Sequence, residues 1–188
     1  MSLSPPADRR PIHTRRVVCQ GFRRNDGLWD IEGHLIDTKA YDFANRDRGG
    51  VIAAGEPIHE MVVRLTIDDA YIIRKAEAVT LHAPFSICGA VAPAFSSLEG
   101  VCLGPGFLRT VRERFGKTAG CTHLVELMGP LATTAFQTLA PLIGAEAGNG
   151  ARPRIIDSCH ALAADGEVVA REWPQFSTRR ATDPLGDA

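Results

Sequence analysis

His59, Cys88 and Cys121 are side chains able to hold a metal ion, and each stands where a small fold can present a ligand. His59 lies in the alternating run Ile58-His59-Glu60-Met61-Val62-Val63-Arg64-Leu65-Thr66-Ile67, on one strand face with Met61, Val63, Leu65 and Ile67. That face is otherwise apolar, so a histidine on it must be hydrogen-bonded, neutral or bound to metal. Cys88 and Cys121 each open an apolar stretch of helical character, and a helix N-terminus favours the thiolate that a metal requires. His123, two residues beyond Cys121, is the nearest further ligand. The plainer reading of the same residues is a hydrogen-bonded core histidine and small apolar thiols. Convergence in space decides between the two. Two cysteines with one or two histidines suit zinc, or iron with an open position.

The elements that must position these residues follow from patterning. Residues 15–24 and 28–39 read as two strands joined at Asn25-Asp26-Gly27, a turn whose residues tolerate positive φ. In the second strand Trp29, Ile31 and Leu35 face one way, and Asp30, Glu32 and His34 the other. Residues 45–56 form a polar loop. A second hairpin runs from 58–67 through Asp68-Asp69 to 71–81. Helices are predicted over 87–98, 105–115 and 122–143, the last kinked or split at Gly129-Pro130. Residues 154–173 are expected to add a strand pair about Ala164-Asp165-Gly166. Strands first and helices afterwards give an α+β class: an antiparallel β-meander of two hairpins with helices packed on one face. Residues 1–12 read as a disordered arm, 13–178 as a single metal-binding domain and 179–188 as a frayed tail.

Composition bounds the function. At 188 residues, 45% hydrophobic and 23% charged, the chain is of a size and balance for one buried core. A net charge of -1 gives no electrostatic reason for a nucleic-acid partner, and no apolar run reaches the ~20 residues of a membrane span. No signal-peptide core follows the arginine-rich start, so the expected location is cytoplasmic and the five cysteines are expected to be reduced. The expected partner is a small molecule or a protein.

Gly55-Glu56-Pro57-Ile58-His59-Glu60-Met61 with its strand, Ile87-Cys88-Gly89-Ala90, and Gly120-Cys121-Thr122-His123-Leu124-Val125-Glu126 fall in the order of the three ligand segments of the iron–sulfur scaffold proteins of the IscU and NifU type. Over about residues 55–140 the chain resembles that family, which implies an IscU/NifU-like core. His59 falls on the family's first cysteine, Met61 on its aspartate and Gly120 on the histidine before its last cysteine. Cluster assembly needs thiolates, so these departures tell against scaffold activity. A second resemblance, carried by Asp26-Gly27-Leu28-Trp29-Asp30-Ile31-Glu32-Gly33-His34-Leu35, the His59 strand, the Cys121 segment and Asp157-Ser158-Cys159-His160-Ala161, spans about residues 15–175 and is to a bacterial family of uncharacterised proteins.

Two functions remain open. One is a metal-dependent enzyme that activates water or a substrate oxygen, with His59, Cys88, Cys121 and His123 as metal ligands. Glu60 and Glu126 are its acid–base candidates, and Arg24, Asp30, Glu32 and His34 its substrate-binding candidates. The other is a non-catalytic carrier of metal or sulfur, accessory in the manner of the scaffold proteins. Asp30, Glu32 and His34 also read as the solvated outer face of the sheet, and Arg24 as a hairpin-end charge.

Overall fold

The computed structural model describes residues 3–140, 142 and 150–179. The chain divides into two compact units, Met1–Thr138 and Leu139–Ala188. The first is an α+β unit built on a four-stranded antiparallel sheet. Its strands are β1 (His13–Arg23), β2 (Trp29–Lys39), β5 (Pro57–Ile67) and β6 (Ile73–His82), side by side in that order. A two-stranded ribbon of β3 (Phe43–Asn45) and β4 (Gly50–Ile52) fills the connection from β2 to β5. Both hairpins lie where the alternating pattern puts them.

One sheet face is apolar and covered. Trp29, Ile31, Leu35, Met61, Val63, Leu65, Ile67 and Ile73 are buried on it. Helix α2 (Thr122–Thr138) lies against this face and presents Leu124, Leu127, Met128, Leu131 and Ala135, all fully buried. Two glycines let the helix approach so closely. A Cβ at Gly21 would lie 1.8 Å from Thr138 Oγ1, and one at Gly33 would lie 3.1 Å from Leu131 Cδ2. Helix α1 (Phe107–Phe115) completes the layer through Phe115, whose ring stacks on Phe95 at 4.1 Å.

Three local expectations need refinement or correction. The helix expected over 87–98 is present, as a 3-10 helix over Ser86–Leu98. Pro93 lacks the N–H an α-turn would use, and the segment closes its ends with i→i+3 bonds such as Cys88 N to Phe85 O at 3.1 Å. Conversely, α2 runs on through Gly129-Pro130 without splitting, because the apolar side chains flanking the proline are all seated in the core. In the second unit no strand pair forms among the described residues of 154–173. A 3-10 turn (His160–Leu162) and helix α3 (Glu167–Glu172) stand there, with Val169 buried. Residues 3–12 carry no helix or strand and are exposed; the tail beyond Arg179 and the expected helix end at 143–149 lie outside the described residues.

The β5–β6 turn shows how one carboxylate organises a corner. Asp68 Oδ1 accepts hydrogen bonds from the backbone N–H groups of Ala70 (3.0 Å) and Ile72 (2.9 Å), while Oδ2 accepts from Arg74 Nε at 2.9 Å. The turn holds Tyr71 at φ 62°, a conformation strained for a side chain of its size. Burial opposes ionisation of Asp68, but these donors outweigh it and its pKa lies below the usual 3.8. The stabilisation is therefore present above pH 3.8 and is lost as pH falls through the depressed folded value. Asp68→Ala is expected to cost about 2 kcal/mol at neutral pH. Urea titrations at a series of acid pH values should show that difference vanish as pH falls.

Candidate metal centre

Strand register brings the polar residues of the covered face together. Arg15 on β1 is paired with Asp37 on β2, and Asp37 with His59 on β5, so the three sit side by side across the sheet. His13 and Lys39 form the next row on the same face. From above, the first turn of α2 supplies His123. Cys121 caps this helix, its carbonyl accepting the Val125 N–H at 3.0 Å.

A β-bulge shapes the row. Asp37 pairs with His59, yet Thr38 pairs with Pro57, so Ile58 is left without a partner. Strict alternation would send Ile58 and His59 to opposite faces. The extra residue instead lets Ile58 be buried, at 4% exposure, while both line one cavity. Pro57, which has no N–H to give a ladder, suits that position.

Asp37 is the hub. Its side chain is 1% exposed, and Arg15 grips it with both arms, Nε to Oδ1 at 2.8 Å and Nη2 to Oδ2 at 2.7 Å. Oδ2 also lies 3.3 Å from His59 Nδ1 and 3.4 Å from His123 Nε2, and Oδ1 lies 3.3 Å from His13 Nε2. Burial works against the charge on Asp37, but Arg15 overcomes it and the carboxyl titrates below its ordinary value. The His59 and His123 rings stack with centroids 3.8 Å apart. Burial, helped by His123, lowers the His59 pKa to about 4 against the pull of Asp37, so this imidazole is neutral at physiological pH. Its Nδ1 is buried and faces Asp37 Oδ2 without the alignment of a hydrogen bond.

These donor atoms, one each from Asp37, His59 and His123, all lie within 4.8 Å of one another. Bonds of about 2.1 Å place two ligands of a tetrahedral ion roughly 3.4 Å apart, and the two measured oxygen–nitrogen separations match that edge. Cys121 stands behind His123, with Sγ 3.9 Å from Nδ1. Burial raises the Cys121 thiol, but His123 and the backbone N–H groups of Leu124 and His123 outweigh it, and the net shift is downward. The group opens into a cavity of about 350 Å³ lined by His13, Arg15, Lys39, Phe43, Pro84 and Phe85 among others.

Of the residues picked from the sequence, His59 and His123 meet at Asp37, Cys121 touches His123, and Glu126 hydrogen-bonds Arg15. Cys88 belongs to the 3-10 segment and is not in the group. Glu60 turns to the other face of the sheet, between His34 Nε2 at 2.9 Å and His82 Nδ1 at 2.7 Å. Asp30 pairs there with Arg24 and Thr66, and Glu32 with Arg64. To these the structure adds Asp37, Arg15, His13 and Lys39. The signal for Asp37 lies in the alternation itself, since the series Trp29, Ile31, Leu35 continues inward to residue 37.

Residues 13–137 match a family described as "Protein of unknown function (DUF2889)". No curated protein and no solved structure matches the chain.

Proposed function

The chain belongs to the DUF2889 family, and from the geometry of its Asp37 centre we propose that it is a metal-dependent enzyme. It holds one zinc or iron(II) ion through Asp37, His59 and His123 at the floor of a small cavity. The observation behind this is the convergence of three donors from two strands and a helix, one of them a buried imidazole nitrogen that makes no aligned hydrogen bond. A set of two histidines and one carboxylate is the donor chemistry of catalytic zinc and of non-haem iron, and it leaves coordination positions free. Such an ion lowers the pKa of water or polarises a substrate oxygen.

The surrounding residues fit that role. Arg15 fixes the Asp37 carboxylate with two hydrogen bonds. Cys121 engages His123 Nδ1, which leaves Nε2 turned toward Asp37, the kind of outer contact that sets a ligand's tautomer. Glu126, joined to the centre through Arg15, is the acid–base candidate that stays with it. The competing reading, a carrier or an IscU/NifU-like scaffold, calls for several thiolates to hold iron and sulfide. Cys121 is the one cysteine in contact with this centre among the described residues, and the adjoining cavity favours an enzyme.

Protein purified without chelator is expected to contain about one equivalent of zinc or iron per chain by elemental analysis. After stripping, added zinc should stabilise the fold by about 2.7 kcal/mol at a free concentration 100 times the Kd. His59→Ala and His123→Ala should lose both effects. Stripped protein whose melting ignores zinc would end this reading.

A further inference from the structure

The cavity beside Asp37 is mostly apolar, lined by Phe43, Ile58, Pro84 and Phe85, and it also borders His13, Arg15 and Lys39 of the paired strands β1 and β2. Arg15 is committed to Asp37 and Glu126, and His13 lies against Asp37. Lys39 makes no ion pair among the described residues; its ammonium rests over the Tyr41 ring, 5.5 Å from the centroid. It is half-buried, two residues along β2 from the candidate ligand Asp37 and on the same face. Charge points the same way. Arg15 offsets one of the two carboxylates, Asp37 and Glu126, so a divalent ion bound here leaves a positive surplus that Lys39 enlarges.

The apolar lining is braced. Asn45 Nδ2 donates to the Pro84 carbonyl at 2.8 Å, and the Ser86 N–H donates to Asp47 Oδ2 at 2.9 Å. The β3–β4 ribbon and the turn within it therefore hold the Pro84-Phe85 wall in place. Phe85 is nonetheless 60% exposed, as a wall awaiting a ligand would be.

We propose that the substrate is a small organic carboxylate with an apolar body, its head between Lys39 and the metal and its body against Phe43, Pro84 and Phe85. This rests on the metal reading given above. A volume of about 350 Å³ sits at the small end of ligand pockets and suits a small molecule. A phosphate monoester calls for several free donors, commonly a helix N-terminus. Here the N–H groups at the start of α2 are turned on Cys121, and of the lysine and arginine side chains lining the cavity Lys39 is the one without an ion pair among the described residues. One negative charge with an apolar group answers what the cavity offers.

Calorimetric titration of the zinc-loaded protein with benzoate, benzamide and acetate tests this, with zinc measured in every sample. Benzoate is expected to bind at least tenfold more tightly than neutral benzamide and than acetate, which lacks the ring. Lys39→Gln should weaken benzoate about tenfold while zinc stays at one equivalent. Benzoate that fails to bind, matches benzamide, or ignores Lys39→Gln in protein that does hold zinc overturns the substrate proposal and leaves the metal centre standing. Protein that takes up no zinc overturns the metal reading, and the substrate proposal falls with it.

Discussion

Asp37→Ala is expected to remove the metal altogether and to destabilise the first unit by about 3–5 kcal/mol, the range for breaking a buried ion pair. Both losses have one origin. Arg15 would keep its place on β1 with its principal partner gone, and His59 and His123 would face each other across an empty floor. Because Arg15 is 35% exposed and Glu126 remains as an alternative partner, the cost belongs to the lower part of that range. Elemental analysis and urea unfolding of the same preparation check it. Asp37→Ala protein that retains zinc would remove Asp37 from the ligand set, whatever its stability.

Leu131→Ala should destabilise by a similar amount, about 3 kcal/mol, with the opposite result for metal. Leu131 is fully buried and packs into the space that Gly33 leaves open on β2, so truncation opens a cavity between the helix and the sheet. The site lies at the other end of α2, two turns away from this contact, and its donors are untouched. Chains that remain folded should therefore still bind one equivalent of zinc. The pair of variants separates an effect on the centre from an effect on the fold: Asp37→Ala loses both, Leu131→Ala loses one.

Strands and turns were legible because their signals are local. Alternation over 28–39 and 58–67, with Asn25-Asp26-Gly27 and Asp68-Asp69 between their partners, places four strands and the buried face that His59 shares. The centre was only half legible. His59 and His123 carry a visible chemistry, whereas Asp37 looked like any strand-end aspartate until register put Arg15 on one side of it and His59 on the other. Register and the bulge at Ile58 arise from pairing between distant segments, which no single strand's pattern reveals. Cys88 resembles a ligand in its sequence setting, yet Pro93 and the adjoining glycine make its segment a 3-10 helix that is not part of the centre. Tail residues Ala164-Asp165-Gly166 do turn, but Glu167-Val168-Val169-Ala170-Arg171-Glu172 then follows a helical course with one buried valine.

The three donors sit on β2, β5 and α2, so Asp37 meets His59 when the sheet pairs and both meet His123 only when the helix has docked. Helix docking over such a separation closes a long loop and is expected late in folding. An ion that binds only the finished arrangement cannot guide the chain toward it. It acts on the return journey, holding the native state against opening, so metal should lengthen the lifetime of the folded protein while leaving the rate of refolding nearly unchanged.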